Sequence, residues 1–207
     1  MIIADQLLLF YRKIREAQTN SRIEPTEAIA RINDAREEEA GQGKFYRISD
    51  TITAGGGETY WTLRDDFLGP IAARDWATIN GKAITIKSKA DWASKVQGAV
   101  VPALGLNEVW GMLDGNTFYI YPSAAAGDVL LWYGYALPPA LPDITGPDAY
   151  LTNPQARLTV MVAAAQALED LGASPGKMLL TSIAEQRKQV KDKAKVRGAR
   201  LENAPEE

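Results

Sequence analysis

The chain keeps a helical hydrophobic rhythm at both ends and a strand-like one in the middle. Ile3, Leu7, Phe10, Ile14 and Ala17 recur in steps of four and three, lining one helix face while Asp5, Arg12, Lys13 and Glu16 look outward. The spacing predicts a helix over 2–18, broken by Thr19-Asn20-Ser21. Pro25, whose missing N–H is tolerated in a first turn, opens a second helix over 25–40, and Gly41 supplies its stop. The apolar stripe of that helix, Ala28, Ile29, Ile32 and Ala35, is thin and suits packing on the first helix. Glu37-Glu38-Glu39 read as a solvated face or, because acids oppose the macrodipole at a helix C-terminus, as the target of a basic partner.

From Tyr46 the period falls to two. Tyr46, Ile48 and Ile52 lead into Gly55-Gly56-Gly57, and residues 60–63 return, which predicts a hairpin or a glycine-loosened loop. Residues 71–79, the dipeptide Asn80-Gly81 and residues 83–87 predict a second hairpin, since asparagine and glycine accept positive φ. Ser88 with Asp91 resembles a capping box, and Trp92 and Val96 then share a face, so a short helix is expected over 88–97. The small apolar run 98–105 reads either as buried chain or as a loop at a subunit contact. Across residues 110–135 three apolar-aromatic runs are divided by Asp114-Gly115 and Gly127-Asp128, predicting an antiparallel meander.

Next comes ALPPALPDITGPD, too rich in proline for a strand or a helix interior, and therefore a stiff connection. Asn153 as N-cap and Pro154 at the first helical position open a helix over 154–171 with Leu158, Met161, Val162, Ala165, Leu168 and Leu171 at helical spacing. Ser174-Pro175 repeats the start signal, and Met178, Leu179, Ile183 and Val190 continue a fifth helix, 175–186. Beyond it Arg187, Lys188, Lys191, Lys193, Lys195, Arg197 and Arg200 stand against the single acid Asp192, and the sequence turns acidic from Glu202. The reading is an α+β fold, antiparallel hairpins or a meander packed with N-terminal and C-terminal helices. Residues 1–186 form a single domain, with strands between 45 and 136, and 187–207 form a basic-then-acidic C-terminal arm.

Composition removes more chemistry than any motif adds. With neither cysteine nor histidine there is no disulfide, thiol nucleophile, imidazole base or Cys/His zinc site. A net charge of -3 argues against a surface that embraces nucleic acid throughout. No run reaches the ~18 apolar residues of a membrane span, and Asp5 ahead of the apolar run makes the N-terminal stretch an amphipathic helix rather than a signal peptide. The triple glycine lacks the Gly-Lys-Ser/Thr of a phosphate loop, and Gly41-Gln42-Gly43-Lys44 closes a helix instead of opening one. Asp65-Asp66 is the nearest approach to a catalytic acid pair, but no base is spaced to serve it. Trp61, Phe118, Tyr119, Tyr121, Trp132 and Tyr133 suit a sheet core better than a sugar- or base-stacking surface. No catalytic, cofactor or metal residue is therefore assigned. The basic stretch has three readings: a solvated helix, a nucleic-acid contact, or a docking arm for an acidic protein surface.

Three stretches, EAIARINDAREEEA, YWTLRDDFLGPIAARDWATINGKAITIKSKADW and GDVLLWYGYALPPALPDITGPDAYLTNPQARLTVMVAAAQALEDLG, follow the order of elements in tailed-bacteriophage head-to-tail adaptor (connector) proteins, which this chain resembles over roughly residues 24–172. The basic extension after Arg187 and the triple glycine depart from that pattern. The resemblance implies a virion component without enzymatic activity or cofactor. It would be one of about twelve copies in a ring at the neck between head and tail, assembled in the host cytoplasm. Its expected partners are other copies of itself, the portal protein and a tail protein, with packaged DNA passing the lumen without specific binding. In that setting Arg187, Lys188, Lys191, Lys193, Lys195, Arg197 and Arg200 are expected to meet the portal. The tips Asn80, Gly81, Asp114 and Gly115 are expected to meet the tail or a neighbouring subunit. A carbohydrate-binding or hydrolytic tail component using the aromatic sheet, and a nucleic-acid-binding module using the basic helix, are the alternatives.

Overall fold

A computed structural model describes the backbone of residues 1–15, 22–43, 46–72, 76–96, 108–142 and 146–202, with side chains through Lys193 except that of Lys95. Expectations for Glu16, Ala17, the 19–21 break, the 98–105 run, the acidic end 203–207, and the side chains of Lys195, Arg197 and Arg200 fall outside the described residues. The fold is α+β, and it groups into two compact units: 1–46 with 137–207, and 47–136.

The helical unit is built around one helix that is buried on every side over residues 158–165. Ala156, Leu158, Val160, Met161, Val162, Ala163, Ala164, Ala165 and Ala167 are all buried, which an amphipathic surface helix would not allow. This helix, α4 (Asn153–Asp170), packs against α1 (Ile3–Ile14), α2 (Pro25–Gly43) and α5 (Lys177–Glu202). Its run of alanines lets the neighbours approach closely, while Leu158 and Met161 fill the space between. The N-cap is Thr152, one residue before the expected Asn153, because Gln155 can then reach back to accept the Thr152 backbone N–H at 2.8 Å. At the other end Gly172 takes φ +73, and Ala173 N–H bonds the Leu168 carbonyl, closing a Schellman turn.

Three helices differ from their expected ends, and the first, α1, stops at Ile14 instead of running to 18, with Arg15 at φ +60 as its C-cap. Helix α2 runs through Gly41 to Gly43, held by the Gln42–Glu38 hydrogen bond at 3.0 Å and by the burial of Glu39 and Ala40. Helix α5 starts at Lys177 and continues without a break past Gln186 to Glu202, with Leu179, Ile183 and Val190 buried and Met178, expected on that stripe, exposed.

A buried polar cluster ties the proline-rich connection to the helices. Arg36 of α2 and Asp148 form an ion pair at 2.6 Å with side chains 1% and 0% exposed. Arg36 Nη2 also donates to the Pro139 carbonyl at 3.0 Å, and Gln6 of α1 donates to Asp148 at 3.0 Å. The other Asp148 oxygen accepts the backbone N–H groups of Tyr150 and Leu151, and Asn33 pairs in both directions with the Leu141 backbone. Prolines supply no N–H, so this connection depends on side chains for its anchorage.

The β unit holds its own core between two sheets. In the first, β9 (Val129–Ala136) is central: β1 (Arg47–Thr53) pairs along one edge, and β4 (Ala77–Ile79) and β3 (Phe67–Pro70) share the other. β5 (Lys82–Ala83) extends this sheet beyond β4. The second sheet runs β2 (Tyr60–Thr62), β8 (Thr117–Tyr121), β7 (Trp110–Asp114), β6 (Thr85–Ile86), with β6 parallel to β7. The expected meander is therefore corrected: β7 and β8 form the Asp114-Gly115 hairpin, but the third run, β9, crosses to the other sheet. Its alternating burial fits a central strand, and Asp128 aids the crossing by accepting the Ala125 N–H at 2.8 Å. The Gly55-Gly56-Gly57 segment is likewise a loop between sheets, since β1 and β2 do not pair with each other. Gly134 is required where it stands, because a Cβ there would enter the Phe67 ring. Trp76 meets Phe118 at 5.1 Å, joining the two sheets through an aromatic edge, and Phe67 meets Trp132 at 5.3 Å within the first sheet. The short helix α3 (Lys89–Lys95) begins as expected, Ser88 Oγ accepting the Asp91 N–H at 3.1 Å.

The cluster around Asp148 gives acid denaturation a defined onset. Burial acts to raise the Asp148 pKa, but the hydrogen bond and charge of Arg36, with the bonds from Gln6 and Tyr150, outweigh it and hold the carboxyl below its ordinary 3.8. A depressed pKa means that this stabilisation is complete above the ordinary value and is lost as pH falls through the lower folded one. In denaturant titrations, Asp148→Asn should cost about 3–5 kcal/mol at pH 7, by leaving Arg36 buried without a counter-charge. It should then lose less than the parent chain does between pH 4 and pH 2. Parallel pH curves for the two would remove Asp148 from the acid transition.

Candidate interaction surfaces

The two sequence-predicted tips differ in how freely they can meet a partner. Asn80 and Gly81 take φ +50 and +77 between β4 and β5, the two-residue turn whose twist matches the strands. The Asn80 side chain is already used: it donates to Asp128 at 2.7 Å and accepts the Val129 N–H at 2.9 Å. Gly81 points its open side outward, with no atom within 4 Å of where a Cβ would stand. In the other hairpin Asp114 is the last strand residue, and the turn is Gly115-Asn116, with Gly115 at φ +63. Lys89 of α3 reaches Asp114 at 2.7 Å, both side chains largely exposed. Charged groups so exposed contribute little stability, which leaves them available to a partner at small cost.

The basic stretch of α5 divides into an anchored part and an open part. Arg187 turns inward and forms a forked contact with Glu39 of α2, its Nε at 3.0 Å and its Nη2 also engaged. The Glu39 side chain is 4% exposed, so the expectation that all three acids of Glu37-Glu38-Glu39 face solvent is corrected. Glu37 and Glu38 remain exposed, Glu38 accepting bonds from Gln42 and from Gln166 of α4. The basic partner of this acidic turn thus lies in the same chain. The Glu39 hydrogen bond, opposed by partial burial and aided by the charges of Glu39 and Glu38, raises the Arg187 pKa. Lys188, Lys191 and Lys193 are exposed, and among the described residues none has an acidic partner.

The chemistry considered from sequence finds its residues engaged in structure. Asp66 receives a two-point contact from Arg64 at 2.9 and 2.8 Å, which neutralises one member of the Asp65-Asp66 pair. Glu58 accepts its own backbone N–H and those of Gly56 and Gly55, the latter two at 2.7 Å each, and these bonds hold its carboxyl below the usual range. The triple glycine therefore wraps a carboxylate of its own chain. Trp61, Phe118 and Trp132 are core residues, Tyr119 and Tyr121 are half-buried, and Tyr133 is exposed. Among the described residues no group of three or more acidic side chains is placed to hold a metal ion, and no helix is long and apolar enough to cross a membrane.

Gly81→Val tests the first tip. It should destabilise by about 1–3 kcal/mol through backbone strain alone, with no clash to relieve. An unchanged melting temperature would mean the turn can adopt another geometry. Arg187→Ala should cost about 1–3 kcal/mol by leaving the buried Glu39 carboxylate unpaired. Adding Glu39→Gln should recover part of that loss, and additive losses in the double-mutant cycle would dissolve the pair.

No curated protein matches this chain. The sequence profile of the SU10 adaptor proteins matches residues 10–201, which include elements of both the helical and the β unit. The chain belongs to the SU10 adaptor protein family, a family of phage head-to-tail adaptors.

Proposed function

We propose that the protein forms a ring of about twelve copies at the neck of the virion, joins the portal vertex to the tail, and lets packaged DNA pass through its lumen. The observation that carries this reading is the family match across residues 10–201, reaching past Arg187 into the basic part of α5. Three features support it. Two separately packed units offer rigid faces for lateral contacts. Exposed Lys188, Lys191 and Lys193 lie on a helix whose packed stripe ends, among the described side chains, at Val190. Of the acids and aromatics that a hydrolase or a sugar-binding surface would use, Asp66 is engaged by Arg64, and Trp61, Phe118 and Trp132 are taken up in the β core.

In this reading the portal is met by Lys188, Lys191, Lys193, Lys195, Arg197 and Arg200, with Arg187 fixing the helix that carries them. The Gly81 and Gly115 turns face the tail or a neighbouring subunit. Each exposed charge pair contributes only about 0–1 kcal/mol, so attachment depends on many copies acting at once.

The test is co-sedimentation with portal-bearing heads. A chain cut after Lys193 keeps Arg187 and Val190, so it should melt like the parent, yet it should fail to sediment with heads, and high salt should weaken attachment of the full chain. Equal sedimentation by the two chains would move the portal contact off residues 194–207. Salt-dependent retention on DNA with no binding to heads would favour a nucleic-acid-binding module instead.

A further inference from the structure

The helical unit carries a groove at the end of α1, where α4 finishes and α5 begins. It encloses about 510 Å³ and is lined by Arg12, Lys13 and Arg15 together with Leu168, Met178 and Leu179. Among the described residues no acidic side chain lines it, and none of its three bases has an ion-pair partner. Arg12 and Lys13 in the last turn of α1 offset that helix's dipole, which alone would explain their presence. The dipole does not explain Met178, 87% exposed on the groove, or the half-exposed Leu180 nearby in sequence. An apolar patch rimmed by charges of one sign marks a contact for a chain that is apolar and oppositely charged.

We infer that this groove receives residues 201–207 of a neighbouring copy. That segment, LENAPEE, brings Glu202, Glu206 and Glu207 to face Arg12, Lys13 and Arg15, and Leu201, Ala204 and Pro205 to cover Met178 and Leu179. The same copy's segment is out of reach. The groove spans the first two turns of α5, as far as Ser182, and the helix carries Glu202 about 30 Å farther along its axis at 1.5 Å per residue. Residues 203–207, even fully extended, return by only about 17 Å. The groove lies at one end of α5, and the acidic segment follows the other end. A contact between the two ends is heterologous and repeats from copy to copy, the kind that closes a ring. The inference rests on the ring reading above, and it leaves the lysines and arginines of 188–200 free for the portal.

The experiment loads portal-bearing heads with an equal mixture of 15N-labelled and unlabelled full chain, then cross-links amines to carboxylates with a carbodiimide. Links between Lys13 and Glu202, Glu206 or Glu207 are expected, with labelled and unlabelled peptides joined in the proportions of random pairing. R12E/K13E/R15E should lower head occupancy about tenfold or more, and E202K/E206K/E207K added in the same chain should restore it. Absence of these links, links only within one isotope, or a reversed groove that loads like the parent while rings still form would overturn the inference and leave the ring reading standing. A parent chain that neither loads heads nor self-associates would overturn both.

Discussion

The helical unit depends on one buried ion pair, Arg36 with Asp148. Removing two charges from water costs several kcal/mol each, and their attraction returns this only when the remaining hydrogen-bonding positions are filled. Here they are nearly filled, by Pro139, Gln6, Tyr150 and Leu151, while Arg36 Nε and Gln6 Oε1 stay unpartnered. The net stabilisation is accordingly modest, and what the pair chiefly supplies is position. A connection with four prolines in ALPPALPDITGPD cannot register itself by backbone pairing. Arg36 and Asn33 grip it from α2, and Asp148 in turn fixes the start of the turn that leads into α4. Since α4 is the helix on which the other three pack, the location of the helical core follows from that grip.

Helix α2 has a polar surface and would be weak alone. Three of its contacts with groups distant in sequence are those of Asn33 with Leu141, Arg36 with Asp148, and Glu39 with Arg187. All three lie on successive turns of one face, so a helix with a thin apolar stripe becomes the clamp joining the proline connection to α5.

What was legible in the sequence follows the range of the interactions involved. Helices α1, α2, α4 and α5 were readable from 3.6-residue periodicity, and both two-residue hairpins from turns that need positive φ, because these are local requirements. Strand pairing beyond the hairpins was not. Residues 129–136 look like the third strand of a meander, yet β9 pairs with β1, β3 and β4, chosen by burial of Leu130 and Trp132 against Trp76 and Phe118. The shift of the α4 cap from Asn153 to Thr152 was available in sequence, since only Thr152 has a glutamine three residues on. The Glu39 contact with Arg187 was half legible: the acids at the α2 terminus called for a cation, but nothing local said which. The basic groove at the end of α1 was hidden, because its two sides lie far apart in sequence.

An adaptor must hold shape while joining two larger bodies, and this chain spends its unusual chemistry on shape. Its carboxylates at Glu39, Glu58, Asp66 and Asp148 are tied to its own arginines and backbone, which leaves the lysines of α5 and the bases of α1 as open charge. Electron microscopy of the full chain bound to portal-bearing heads tests the account most directly. It should find a closed ring of about twelve copies between portal and tail, with α5 directed at the portal. Single copies scattered on the capsid, or a ring at the far end of the tail, would contradict it.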